Sequence, residues 1–257
     1  MKKLSILYLF GPLLILSLAL VIFSGPAQAY VYDDFTGTTI NPRLWYDEYP
    51  STETFSVPSI GGGPLSFIDK TGGLFDTLRS YNRVSGAFFV SMQYYGFDPG
   101  PNTNSGGIFK STSVELALTD GTNSVNVDEN FNTDGQFFQA VLNLGGTKTN
   151  LQIPAPSASG VSAARLGIRY NGLIGSKGVV TFYYGTGTSW TPIITSGPVC
   201  PDFSTHPYFA IVGNDTYGSS LRFNVDQVDL VPLPPSLFLL GPSLLGLGAL
   251  GWRRQQG

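Results

Sequence analysis

Residues 86–97, GAFFVSMQYYGF, alternate strictly. Phe88, Val90, Met92 and Tyr94 fall on one side of an extended chain, and Phe89, Ser91, Gln93 and Tyr95 on the other. A period of two over this length specifies a strand with one face against a core. The pattern recurs at 113–119, 137–144, 165–170, 178–184, 207–213 and 221–231, separated by Gly, Asn, Asp and Pro clusters. Residues 171–177 read as a hairpin-like connection between two of these strands. The chain holds 32 Gly and 18 Pro in 257 residues, and no helix of three turns is legible between residues 30 and 231. The expectation is an all-β protein, a sandwich of two antiparallel sheets around one core.

The two ends read differently. Lys2 and Lys3 precede an apolar run to Phe23; Ser24-Gly25-Pro26 breaks it, and Ala27-Gln28-Ala29 is a small-x-small cleavage site. This is a secretory signal, residues 1–29, with cleavage expected before Tyr30; the alternative is an uncleaved membrane anchor. At the other end, Val231-Pro232-Leu233-Pro234-Pro235 is stiff and extended. Residues 236–252 then carry no charge, and Arg253-Arg254 follow. Seventeen residues of helix rise about 25 Å, slightly short of a bilayer core, and the arginines suit the cytoplasmic side. The plain reading is a transmembrane tail anchor. The order of Pro motif, apolar helix and basic end also resembles a PEP-CTERM sorting signal of the VPLP type, covering 231–257, with Leu233 where Glu is commoner. That resemblance implies an exosortase-type processing enzyme as partner, beside the secretion machinery. It also implies an inner-membrane intermediate and a final place at the cell surface or outside the cell.

Net charge is -3 and the isoelectric point about 5.0, which disfavours nucleic acid as a partner. All 17 acids lie between Asp33 and Asp229, and four of the 14 basic residues are at the ends. The central region thus has 10 basic residues against 17 acids, a net of -7. Such a surface suits neutral glycans or divalent cations better than anionic polymers. Cys200 is the only cysteine and His206 the only histidine. Cys200 reads as a small, partly buried hydrophobe rather than a nucleophile.

Three stretches of the central region resemble concanavalin A-like lectin/glucanase jelly rolls. YDDFTGTTINPRLW (32–45) is similar to their opening strand and turn. RLGIRYNG with VVTFYYGTGTSWTPI resembles a late hairpin, and LRFNVDQVDLV resembles the closing strand. The resemblance implies a jelly-roll domain over 30–230. Glucanases of this fold carry Glu-x-Asp-x-(x)-Glu on one strand, which sets catalytic carboxyls on one face. Nothing here matches it: Glu115 is followed by Leu116-Ala117-Leu118, and Asp128-Glu129 are adjacent, so they point to opposite faces of a strand.

The expectation is therefore a non-catalytic, exported sandwich that associates with extracellular polysaccharide. Gln93, Tyr95, Glu115, Arg169 and Tyr183 would form its glycan-binding sheet face, or an ordinary solvated face with a Glu115–Arg169 pair. Tyr46, Tyr49, Trp190 and Tyr217 are further candidate sugar platforms, with Trp190 as readily core. The alternatives are a glycan-active hydrolase or lyase with an unrecognised carboxylate pair, or a purely structural surface protein. No cofactor is implied, though Asp33 or Asp34 of the first strand beside Asp226 or Asp229 of the last would suit a structural Ca2+.

Overall fold

The computed structural model describes residues 30–48, 55–57, 63–69, 75–84, 86–100, 112–132, 135–154, 164–171, 178–186, 189–195, 207–215 and 221–233. The chain divides into two units, Tyr30–Leu230 and the pairing of Met1–Ala29 with Val231–Gly257. Of the second, only Val231, Pro232 and Leu233 are described. The signal segment with Ala27 and Ala29, the sorting residues Pro234, Arg253 and Arg254, and Tyr49, Cys200, His206 and Tyr217 lie outside the described residues. So does the connection at 172–177. Among the described residues no helix is long and apolar enough to cross a membrane.

Tyr30–Leu230 is all β. In chain order the strands are β1 (Tyr30–Asp33), β2 (Trp45–Asp47), β3 (Phe55–Ser56), β4 (Leu65–Ile68), β5 (Phe75–Ser80), β6 (Phe88–Asp98), β7 (Thr112–Thr119) and β8 (Ser124–Asn132). There follow β9 (Gly135–Leu144), β10 (Thr147–Pro154), β11 (Ala164–Tyr170), β12 (Val180–Thr186), β13 (Ser189–Thr195), β14 (Tyr208–Asp215) and β15 (Arg222–Pro232). One sheet runs β13-β12-β11-β6-β15-β4-β3, with β1 also paired to β15. The second runs β10-β9-β8-β7-β14-β5-β2. The antiparallel sandwich expected from the alternation is what the chain forms.

Alternation explains which side chains fill the space between the sheets. From the first sheet come Phe88, Val90, Met92 and Tyr94, with Leu166 and Ile168; from the second come Val114, Leu116 and Leu118, with Val125, Val127 and Ile211. On β15 the buried residues are Phe223, Val225, Val228 and Leu230, so the period slips by one at Asp226–Gln227. That slip lets one strand serve two partners, β4 along residues 222–225 and β1 along 228–230.

The closest approach across the core is Phe67 of β4 over Gly213 of β14. Phe67 is fully buried, stacks on Phe223 at 4.7 Å and meets Phe55 edge-on at 5.0 Å. A Cβ at residue 213 would lie 2.2 Å from two atoms of its ring. Glycine is required there by space, and the ring is held from the sides by Phe223 and Phe55, its cross-strand partners in the same sheet. Gly213→Ala should therefore lower unfolding free energy by about 1–3 kcal/mol, the usual cost of overpacking a core. Combined with Phe67→Leu, the cost should fall well below the sum of the two single changes in urea unfolding; strict additivity would show that the contact is not limiting.

Candidate functional site: a polar cleft on the outer face of the second sheet

The strands of the second sheet bury one face and leave the other free. On β7 the residues turned away from the core are Ser113, Glu115, Ala117 and Thr119, and on β8 they are Ser124, Asn126, Asp128 and Asn130. All of these except Ser113 line, with their neighbours, a cleft of about 580 Å³. The ladder registers order it into rows that cross the strands. One row is Gln139, Asp128, Glu115, Val212 and Thr77. The next is Val141, Asn126, Ala117, Ala210, Arg79 and Tyr46. Ala117, Ala210 and Val212 make a small apolar floor between them.

Glu115 and Asp128 are direct cross-strand partners. Asn126 Nδ2 donates to both, to Glu115 Oε2 at 2.9 Å and to Asp128 Oδ2 at 3.1 Å. Because one nitrogen serves both bonds, the two acceptor oxygens lie no further apart than those bond lengths laid end to end. Ser113 Oγ donates to Glu115 Oε1 at 2.8 Å. Burial pushes both carboxyls above their ordinary pKa, and for Asp128 the Glu115 charge pushes further; Lys148 pulls both back. Asp128 is fully buried while Glu115 keeps an accessible edge. Asp128 Oδ1, Asn130 Oδ1 and Thr77 Oγ1 are buried there without a hydrogen-bond partner. A neutral carboxyl tolerates that far better than an ionised one. Both environments favour the protonated form, in which a carboxyl can donate a proton as well as accept one.

Glu129, next to Asp128, points the other way, into the core. It accepts hydrogen bonds from Tyr94 Oη of the opposite sheet and from Gln136 Nε2. Desolvation raises its pKa as well.

The five residues expected to share one glycan face do not share one. Gln93, Tyr95, Arg169 and Tyr183 lie on β6, β11 and β12 of the first sheet, and Glu115 on β7 of the second. No Glu115–Arg169 pair can form, since their sheets turn outward in opposite directions; Arg169 Nε donates to Asn171 Oδ1 at 3.1 Å instead. Gln93 Nε2 donates to Asp226 at 3.2 Å. Tyr183 packs edge-on against Phe89 at 5.7 Å. Trp190 is half-buried on that same outer face, with Phe89 edge-on at 5.3 Å and the Arg165 guanidinium 4.5 Å from its ring centre.

The four acids considered for Ca2+ each accept a hydrogen bond within the protein, Asp226 from Gln93 as above. First and last strands do pair, with Val31 opposite Asp229 and Asp33 opposite Val228. Asp33 is engaged elsewhere: Trp45 Nε1 donates to its Oδ2 at 2.7 Å and Phe35 N to its Oδ1 at 2.8 Å. Asp34 accepts from Thr36, and Asp229 from Gln227 at 2.6 Å. Among the described residues no three His, Cys, Asp or Glu gather to hold a metal ion. Of the sorting motif, Val231 and Pro232 end β15.

The sequence matches no family model, and no curated protein matches it. Solved structures do resemble the chain. The xylan beta-1,4-xylosidase of Bacillus halodurans C-125 is 14% identical with a TM-score of 0.55, covering 78% of this chain and 38% of its own. The apo Crh5 transglycosylase is 14% identical with a TM-score of 0.52, covering 82% and 87%. The winged bean acidic lectin, solved with methyl-alpha-D-galactose, is 8% identical with a TM-score of 0.52, covering 79% and 97%. The fold is the jelly-roll β-sandwich of lectins and glycoside hydrolases. The chain spans only about two-fifths of the length of the xylosidase and of a second glycoside hydrolase like it.

These relatives overturn the expectation of a non-catalytic domain. Most are glycoside hydrolases or transglycosylases. The expectation rested on the missing single-strand acid motif, whereas here the acids meet across two strands.

The raised carboxyls set a sign for pH. A carboxyl whose folded pKa is raised contributes stability that is full below its unfolded value, near 4, and is lost as pH climbs through the folded one. Asp128→Asn removes that loss. The variant should melt higher than the parent at pH 7–8, with the gap closing towards pH 4. A gap that widens on acidification would show Asp128 to be ionised and stabilising.

Proposed function

We propose that the chain is a glycan-active enzyme that cleaves or transfers a glycosidic bond in a neutral polysaccharide, using the Glu115–Asp128 pair. The observation that carries this reading is the shared Asn126 amide, which holds two proton-binding carboxyls together on the floor of an open polar cleft. Glu115 has the accessible edge and is the group that meets the glycosidic oxygen as proton donor. Burial raises the Glu115 pKa and suits it to that role; Asp128, fully buried beneath it and itself raised by burial and by the Glu115 charge, positions Glu115 through the shared Asn126 amide. As the glycosidic oxygen leaves with the proton, water or an acceptor sugar hydroxyl bonds to the anomeric carbon and returns its own proton to the Glu115 carboxylate; Asp128, fully buried, does not reach the sugar. The rest of the cleft supplies hydroxyl partners of no net charge: Asn143, Asn150, Gln139, Ser124 and Thr119.

The names of the structural relatives favour β-linked polymers, among them xylan and beta-1,3-glucan. The signal segment at 1–29 and the VPLP-type segment at 231–257 support action outside the cytoplasm, on polysaccharide of the cell's own surroundings. We place the working form at the cell surface, or released from it, after an exosortase-type enzyme has processed the tail.

Reducing-end release and transfer products from xylan, laminarin and cellulose oligosaccharides test the chemistry. Glu115→Gln should reduce turnover at least a thousandfold. Asp128→Asn should leave measurable turnover, with the alkaline limb of the pH profile staying where burial of Glu115 sets it. Equal turnover in the parent and Glu115→Gln would end the assignment. A C-terminal tag tests the address: it should be absent from surface or released protein and retained when the processing enzyme is deleted. A tag present on the surface protein would mean a simple anchor.

A further inference from the structure

The cleft continues past the carboxyl pair in one direction, into an aromatic cluster that nothing in the acid chemistry requires. Tyr208 of β14 lines the cleft wall, and Arg79 of β5 stacks its guanidinium over Tyr208 at 4.6 Å and over Tyr46 of β2 at 4.8 Å. Glu48, which also lines the cleft, pairs with Arg79 at 3.5 Å. Tyr46 meets Tyr81 edge-on at 5.9 Å, and these two are exposed, 41% and 55%.

Register places this cluster on the same path as the acids. Asn126, which ties the carboxyls together, lies in one cross-strand row with Ala117, Ala210, Arg79 and Tyr46. From β8 to β2 the row crosses four strand spacings, about 19 Å. Its middle is the flat floor of Ala117, Ala210 and Val212. A single sugar cannot reach from one end to the other; an oligosaccharide can.

Arg79 itself offers no free charge to a ligand. Arg79 has a ring on two sides and a carboxylate on a third, so its charge is already met. What it does is hold Tyr46 and Tyr208 still. Rigid, amphipathic rings with a polar tip suit the apolar C–H face of an uncharged pyranose, with hydroxyl partners beside it. Two large aromatics side by side in water at the end of a polar cleft otherwise leave apolar surface exposed to no purpose.

We propose that Tyr46, braced by Arg79, and Tyr81 beside it form a remote subsite that grips a neutral polysaccharide several sugar units from the bond attacked at Glu115. This rests on the proposed function. It makes the protein one that acts within or along an extended chain and gains affinity with chain length on one side only.

Tyr46→Ala and Tyr81→Ala in the full chain, with Tyr46→Phe as the conservative control, separate the two ideas. The probes are xylo-, laminari- and cello-oligosaccharides of graded length, and a short chromogenic glycoside of the same sugar. Each Ala variant should raise KM for the longest oligosaccharide about tenfold, about 1.4 kcal/mol. Neither should change kcat or turnover of the short glycoside, and Tyr46→Phe should behave as the parent. Calorimetric binding to Glu115→Gln should show the same length dependence and indifference to salt. If turnover depends on Glu115 but no Tyr variant alters the dependence on length, the subsite is overturned and the catalytic reading stands. If oligosaccharide binding needs the two tyrosines but no bond is broken, the subsite stands and the catalytic reading falls. If the parent neither binds nor turns over any member of the panel, both fall.

Discussion

The pairing register of β7 with β8 is the constraint on which the site depends. Glu115 opposes Asp128 only because Val114 opposes Glu129 and Leu116 opposes Val127 on the other side of the same ladder. Those inner residues are packed in the core, and a slip of one residue would turn every one of them to solvent. The free energy that fixes the carboxyl pair thus comes from apolar burial on the far face of the strands. A pair built on loops would have no such lock, and an exposed pair of like charges would drift apart.

The core side of β8 is not wholly apolar. Glu129 is buried between the sheets and accepts from Tyr94 of the first sheet and Gln136 of the second. A buried carboxyl costs several kcal/mol unless it is neutral or well partnered, and the two bonds with the raised pKa offset that. Its value is positional. Apolar contacts permit small sliding between sheets, whereas a hydrogen bond from Tyr94 to Glu129 is directional and fixes β8 against β6. Asp128 immediately precedes Glu129 in the chain, so this clip steadies the floor of the cleft from behind.

The alternation of β6, β7, β9, β11, β12, β14 and β15 was legible, and with it the two-sheet class, because each of these strands spends one face on purely apolar neighbours. Strand β8 was not legible. Its outer face is Ser124, Asn126, Asp128 and Asn130, residues that locally favour turns, and its inner face is interrupted by Glu129. The polarity that hid the strand is the chemistry of the site. Sheet membership was also out of reach: period two says which residues share a face of one strand, not which sheet the strand joins. Glu115 was therefore grouped with Gln93 and Arg169, though the chain changes sheets between β6 and β7. The opening DDF…W segment was legible as a family resemblance, and its reason appears only in three dimensions. Asp33 holds Phe35 at a positive φ of 50° and the Trp45 indole at once, with Phe35 stacked on Trp45.

Asp33 and Asp128 show why acids in such a sandwich must be read by their partners. Asp33 accepts two N–H donors and so ties the first strand to Phe35 and the Trp45 indole. Asp128 is more deeply buried, keeps one oxygen unpartnered and faces a second acid, so its environment favours the proton. Burial of the same side chain thus stabilises the fold at one end of the molecule and strains it at the other. A chain selected only for stability would replace Asp128 with an amide or an apolar residue. An acid set opposite Glu115 in a cleft lined largely by amides and hydroxyls, beside a floor of small apolar residues, suits the proton-transfer role proposed for the pair.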